Sequence, residues 1–178
     1  MNKNVLILSA SPRRGGNSDL LCDQFLKGAL SSGNQVEKIF LRDYKISYCL
    51  GCGVCNRTHH CVQNDDMIEI LEKMVAADVL VMATPVYFYT MDAQMKTLID
   101  RTVPLYTRIS NKDFYFIMTA ADTSEASMER TLEGFRGFTD CLSSAKERGV
   151  VYGTGVWQIG EVQSTKAMDQ AYEFGKEV

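Results

Sequence analysis

The 178-residue chain has only three prolines and one tryptophan. It has no Pro/Ser-rich linker, no low-complexity tract and no internal repeat. No apolar run approaches the roughly 20 residues a membrane-spanning helix needs, and Met1-Asn2-Lys3-Asn4 leads into only a short apolar stretch. Neither a secretory leader nor an anchor is visible in this stretch, so a cytoplasmic protein without membrane contact is expected. Positive charge is not in excess: 19 Lys and Arg stand against 22 Asp and Glu, a formal net charge of −3. Broad neutralisation of phosphate backbones calls for a basic surface, so nucleic acid is not an expected partner. Two phosphate signatures are also missing. There is no Gly-Lys-Ser/Thr of a Walker loop and no Gly-x-Gly-x-x-Gly of a dinucleotide fold.

What is present is an alternation. Val5–Leu8, Val79–Ala83, Phe114–Met118 and Val150–Tyr152 are continuous apolar runs of strand length. Continuous apolarity implies burial on both faces, as in a parallel sheet. Val36 to Leu41 keeps a Glu37-Lys38 polar pair and suits an edge strand. Between the runs the period lengthens to that of helices, beginning near Asn17-Ser18, behind an Asp65-Asp66 cap, around Met95 to Ile99, around Met128 to Leu142, and near Ser164. Five strands alternating with five helices predict a single α/β domain over residues 1–178. It would be a three-layer sandwich with a parallel sheet in the flavodoxin-like order 2-1-3-4-5. In that order the sheet reverses between strands 1 and 3, so the crevice at their carboxyl ends is the expected ligand site.

Two loops face that crevice. Ser9-Ala-Ser11-Pro12-Arg13-Arg14-Gly15-Gly16-Asn17-Ser18 follows a buried strand and opens a helix. It joins hydroxyl and amide donors to free backbone N–H groups and a forked cation, a nest suited to a phosphate monoester. Thr84-Pro85-Val86-Tyr87-Phe88-Tyr89-Thr90 follows the most apolar strand and spends three consecutive aromatics where a planar heterocycle would pack. These aromatics also suit a subunit interface. The small stretch Thr119-Ala120-Ala121 would form a third wall. Trp157 would border either a ligand or a partner subunit, or simply pack. Arg101 reads as a helix-terminal charge or an interface residue.

The six cysteines divide. Cys49, Cys52, Cys55 and Cys61 are spaced x2, x2 and x5 in one loop, with Gly51 and Gly53 between them. Three readings fit: four corners of an iron–sulfur cubane, free thiols or a disulfide, or a zinc site. Cys22 and Cys141 are expected to be small core residues.

The first loop, Thr84-Pro85-Val86-Tyr87 and Met95-Lys-Thr-Leu-Ile-Asp-Arg101 together resemble the NAD(P)H-dependent FMN reductases of the flavodoxin-like superfamily, the iron–sulfur flavoproteins coming closest. The resemblance covers roughly residues 3 to 160. It implies that FMN phosphate sits on Ser9, Ser11, Arg13, Asn17 and Ser18, with Pro12 beside it. It implies ribityl and ring contacts from Thr84, Pro85, Val86 and Tyr87, to which Phe88, Ala120 and Ala121 add walls. NAD(P)H would be the donor, a quinone, free flavin or other small acceptor would take the electrons, and the enzyme would be a homodimer or homotetramer. With a [4Fe-4S] cluster on the quartet, the chain would relay single electrons to a protein partner. A flavodoxin-type carrier and a phosphate-sensing regulator on the same fold are the other expected classes.

Overall fold

The computed structural model describes residues 2–178. Among the described residues strands and α-helices mostly alternate, six of each. The strands are β1 (Asn4–Ser9), β2 (Gln35–Phe40), β3 (Val79–Tyr87), β4 (Thr90–Met91), β5 (Asp113–Thr119) and β6 (Lys146–Gly153). The helices are α1 (Asn17–Ser31), α2 (Cys55–Thr58), α3 (Met67–Ala76), α4 (Ala93–Asp100), α5 (Glu129–Thr139) and α6 (Ala167–Lys176). Five parallel strands run in the order β2-β1-β3-β5-β6, and β4 folds back antiparallel on β3. The expected 2-1-3-4-5 order therefore holds once the two-residue β4 is set aside.

Alternating side chains of each central strand go to opposite faces, as the pleat requires. Leu6, Leu8, Met82 and Phe116 pack under α3, α4 and α5 with Met74, Leu98 and Phe135. Val5, Ile7, Val81 and Ile117 pack under α1 and α6 with Leu21, Phe25 and Ala171. Both faces are covered, which is why these strands read as unbroken apolar runs.

Helices α1 and α6 meet backbone to backbone. A Cβ on Gly175 would lie 2.1 Å from the Phe25 carbonyl oxygen. Backbone cannot yield as a flexible side chain does, so Gly175→Ala is expected to destabilise the fold by about 3 kcal/mol, the upper range for overpacking. Urea unfolding measures this. Gly137 on α5 has nothing within 4 Å of its would-be Cβ, and alanine there is the matched control.

Three local expectations are corrected. β3 runs on through Thr84 to Tyr87, because Thr84 and Pro85 pair with Met118 and Thr119 and Val86 pairs with Met91; the expected loop shrinks to the Phe88-Tyr89 turn. The cysteine segment forms a four-residue helix, α2, where only loop was expected. Helix α5 stops at Thr139, so Cys141 falls on the turn beyond it and is exposed, whereas Cys22 is buried as expected. Burial pushes the Cys22 thiol up to about 12, which leaves it inert. Among the described residues no helix is long and apolar enough to cross a membrane.

Candidate functional site

β1 delivers the chain to the carboxyl edge of the sheet at Ser9, and Ala10 N–H extends the ladder to the Ala83 carbonyl at 2.9 Å. The chain then turns. The Ser11 hydroxyl donates to the Arg13 carbonyl at 2.8 Å and accepts from Arg13 N–H at 3.3 Å, and Gly16 N–H closes on the same carbonyl at 2.9 Å. No side chain caps the first turn of α1. Its backbone donors and the positive end of its dipole are therefore left for an anion.

Asp19, in the first turn of α1, holds this loop in shape. It accepts from the Ser9 hydroxyl and from Gly15 N–H, both at 3.0 Å, and Lys38 on β2 pairs with it at 2.6 Å. The lysine compensates a carboxylate that would otherwise repel an incoming anion. Sequence reasoning missed Asp19 and Lys38; the available signal was an acid in the first turn of a helix opened by a Ser/Gly loop. Arg14 pairs with Asp43 and lies over the Phe40 ring, so it faces away from the crevice. Arg13 reaches the Trp157 carbonyl across the crevice mouth.

The crevice holds about 390 Å³. Of the residues expected there, it brings together Ser11, Pro12, Arg13, Asn17 and Ser18 from the first loop. Opposite them it gathers Pro85, Val86 and Tyr87 from β3 with Ala120 and Ala121. Thr119, expected with Ala120 and Ala121 as a third wall, also lines it, as do Val156 and Trp157, and Trp157 is 68% exposed.

Three expected residues lie outside. Ser9 is buried and turned to Asp19. Thr84 is buried, donating to the Pro85 carbonyl and accepting from Asp92 N–H. Phe88 is fully exposed at the tip of the β3–β4 turn, where both it and Tyr89 have left-handed φ of 50° and 64°. Asn17 lines the crevice, but its side chain is engaged elsewhere: it donates to the Gln158 carbonyl and accepts from Gly160 and Val162 N–H. It ties the β6–α6 connection to the first turn of α1.

Behind Thr84 sits Asp92, 1% exposed, which caps α4 by accepting from Met95 N–H at 3.0 Å. Its Oδ2 has no partner. Burial pushes its carboxyl up to about 7 against the opposing hydrogen bond from Met95 N–H.

The cysteine loop leaves the sheet at the same carboxyl end, since Phe40 of β2 is in register with Ser9. The Arg42 guanidinium donates to the Pro12 carbonyl at 2.7 Å, linking this segment to the first loop. Cys49 and Cys52 are exposed, Cys55 and Cys61 half-buried, and none of the four is in a disulfide. Among the described residues no three His, Cys, Asp or Glu side chains are gathered as a metal site. In kind the donor set suits a soft metal or cluster: four thiols in one loop, with open space around Gly51, and Gly51 and Gly53 both at left-handed φ.

Asp65 was expected to cap the following helix. It touches Met67 N–H at 3.3 Å, but its carboxylate is mainly bound by the Arg101 guanidinium at 2.7 and 2.8 Å. Burial works to raise the pKa of Asp65, and the hydrogen bonds from Arg101 and Ser47 outweigh it, holding the carboxyl below its ordinary range. Arg101 is 2% exposed rather than a surface charge. A second cavity of about 530 Å³ lies beside it, with His59, His60, Cys61 and Arg108 in its lining and Met67, Leu71 and Leu105 as apolar walls.

With this geometry in hand, residues 3–136 match the family described as NADPH-dependent FMN reductase. The chain belongs to that family. Among relatives, an iron-sulfur flavoprotein of Archaeoglobus fulgidus is 43% identical over 105 residues, 59% of this chain and 48% of that protein. Another, from Methanosarcina thermophila, is 40% identical over 98 residues, 55% and 51% of the two chains. The chain thus spans about half the length of the curated relatives it matches. Among solved structures, the NAD(P)H:quinone oxidoreductase of Methanothermobacter marburgensis superposes with a TM-score of 0.71 at 18% identity, covering 99% of this chain and 97% of that one. The azoreductase of Bacillus anthracis gives 0.75 at 16% identity over the full length of both. At these identities the likeness shows that the family member described here has the shared fold.

Proposed function

We propose that the chain is an FMN-dependent NAD(P)H oxidoreductase that passes electrons to a quinone, a flavin or another small acceptor. One observation carries this reading: the crevice at the switch point joins an uncapped helix N-terminus to a wall of Pro85, Val86, Tyr87 and Ala120. That pairing fits a phosphate at one end and a flat, apolar-bodied ring at the other. FMN, when bound, supplies acceptance of a hydride and its release as one or two electrons.

The protein's part is to bind and orient. The first turn of α1, Ser11 and Ser18 would hold the phosphate, with Arg13 closing the mouth. Pro85, Val86 and Tyr87 would set the ring plane, and Ala120 and Ala121 leave room for close approach. Trp157 and the Phe88-Tyr89 tip are exposed aromatics bordering the crevice mouth, suited to a nicotinamide, an acceptor ring or a second subunit. We read the chain as a cytoplasmic homo-oligomer in which these aromatics, with Tyr48 and Leu50, are covered by a partner copy.

The quartet supports an added role. Four thiols in one loop at the flavin end, in a chain 40% or more identical over about a hundred residues to two proteins named iron-sulfur flavoproteins, favour a [4Fe-4S] cluster on Cys49, Cys52, Cys55 and Cys61. It would serve one-electron exchange with a protein partner. Zinc or free thiols are the competing states of the same loop.

Anaerobic purification followed by a visible spectrum, iron and sulfide assays, and NAD(P)H turnover with a small quinone tests both parts. Flavin bands with turnover are the expected result, and a broad absorption that bleaches on reduction is expected on top of them. Retained FMN without turnover would leave a flavodoxin-type carrier. No flavin and no binding of added FMN would leave the phosphate-sensing regulator.

A further inference from the structure

The two ends of the cysteine loop are laced together around one buried ion pair. Ser47 N–H donates to Asp65 Oδ2 at 3.0 Å, and Lys45 N–H donates to Asp66 Oδ2 at 2.6 Å. Asp66 N–H returns to the Lys45 carbonyl at 3.1 Å, and Gln63 Nε2 donates to the Tyr48 carbonyl at 3.1 Å. Arg101, just past the end of α4, sits at the centre: one Nη1 donates both to the Ser47 carbonyl at 2.5 Å and to Asp65, and Nη2 completes the fork. Chain positions 47 and 65 are thereby fixed to each other and to a third element that packs on the sheet. Between them lie all four quartet cysteines.

The guanidinium has one donor left. Its Nε–H is buried without a partner, and Cys61 lines the same cavity as Arg101. A buried unpaired N–H of a cation is costly unless something takes it. Among the residues that share this cavity wall with Arg101 is Cys61, the last quartet cysteine. A neutral thiol is a weak acceptor, whereas a thiolate or cluster-bound sulfur is a strong one.

We propose that Arg101, seated by Asp65, is a positioning residue for the quartet: it closes the loop that carries the four thiols and offers Cys61 a buried cationic N–H donor. The proposal rests on the reading that the quartet holds an iron–sulfur cluster. It adds which side chain outside the loop decides whether the cluster is kept and at what potential.

Arg101→Gln and Arg101→Lys, in the anaerobically purified holoprotein, test it. Both should keep FMN. Arg101→Gln should lose cluster affinity by at least about 10-fold, the usual scale for removing a partner that orients a ligand, read as iron and sulfide per FMN. The cluster that remains should be reduced at a more negative potential, because the added electron no longer has a cation beside it. Arg101→Lys keeps the charge but not the fork, so its cluster should titrate nearer the wild-type potential while occupancy still falls. A purely structural loosening would lower occupancy without moving the potential.

If Arg101→Gln does not fold because Asp65 is left unpaired, the double variant Asp65→Asn/Arg101→Gln removes both charges and is read in the same way. Wild-type iron, sulfide and potential in a folded, flavin-bound variant would overturn the proposal. If the wild-type protein itself holds no iron, the cluster reading fails separately, and amide hydrogen exchange of the metal-free chain decides the clamp. Backbone amides of residues 48–63 should then exchange about 10-fold faster in Arg101→Gln than in wild type, because opening the loop no longer breaks the Arg101 bonds to Ser47 and Asp65, with the amides of α1 unchanged. Equal exchange rates in this segment would overturn it.

Discussion

Replacing Gly16 with alanine will weaken FMN binding by about 100-fold, equivalent to about 2.7 kcal/mol, while leaving the sheet and its core intact. The reason is steric. Gly16 has ordinary extended backbone angles, φ −65° and ψ 162°, that any residue adopts. Its would-be Cβ, however, would lie 2.6 Å from the Ser11 hydroxyl and 2.8 Å from the Arg13 carbonyl oxygen. The hydroxyl can rotate away, but the carbonyl belongs to the backbone. It is also the acceptor on which Ser11 Oγ and Gly16 N–H converge to shape the turn. Pushing it aside displaces the backbone that leads into the uncapped first turn of α1, where the phosphate is proposed to sit.

Stability should fall by only about 1–3 kcal/mol, the ordinary cost of overpacking. Fluorescence quenching of free FMN on titration gives the affinity, and urea unfolding of the flavin-free protein separates it from stability. Gly15→Ala is the informative comparison. That residue has φ +65° but nothing within 4 Å of its would-be Cβ, so alanine there strains one turn without touching Ser11 or Arg13. Unchanged FMN affinity in Gly16→Ala would remove the first loop from the binding site.

The residues that decide these effects were unequally legible in the sequence. Buried parallel strands leave a local mark: Val79–Ala83 and Phe114–Met118 are apolar without a break because both faces are covered. Strand order and the crevice then follow from the short menu of right-handed α/β topologies. Ser11, Arg13 and Pro85 could be placed because each lies next to the end of a strand whose position was fixed.

Side-chain partners far along the chain leave no such mark. Asn17 reads as a ligand donor because residues 158–162, which take its side chain, lie far along the chain, and Ser9 because its partner, the acid in the first turn of α1, was not paired with it. Asp65 reads as a helix cap because the alternative, a guanidinium 36 residues later, has no period. Arg101 read as a helix-terminal charge or an interface residue for the same reason. The β4 hairpin was missed because Phe88-Tyr89 carries none of the Asn or Gly that normally signals a turn with positive φ at both central residues. A bulky aromatic pair held in that conformation and left exposed is a local rule broken next to the crevice mouth, where such exceptions concentrate.

Asp92 is a second exception, and its substitution should alter the pH dependence of stability. Its carboxyl titrates near 7 in the folded protein against an ordinary 3.8, so between those values the folded chain binds a proton that the unfolded chain has released. Stability therefore falls as pH rises from about 4 to about 7 and is level above that. The span from 3.8 to about 7 corresponds to at most about 4 kcal/mol.

Asp92→Asn keeps an acceptor for Met95 N–H and a good N-cap for α4, and it never ionises. Its contribution should be flat across the window. The variant should unfold at higher urea than wild type at pH 8, by up to about 4 kcal/mol by the same arithmetic, with the two curves converging near pH 4. Urea unfolding at intervals between pH 4 and 9 measures the difference, and parallel curves would show that Asp92 stays ionised in the folded state. The acid thus destabilises the fold at neutral pH, yet its backbone N–H holds Thr84, whose hydroxyl in turn binds the carbonyl of the crevice residue Pro85. Because that backbone link survives in Asp92→Asn, FMN affinity at pH 8 should stay within about 2-fold of wild type, under 0.5 kcal/mol. A larger loss would mean that the carboxyl itself, rather than its backbone, supports the crevice wall.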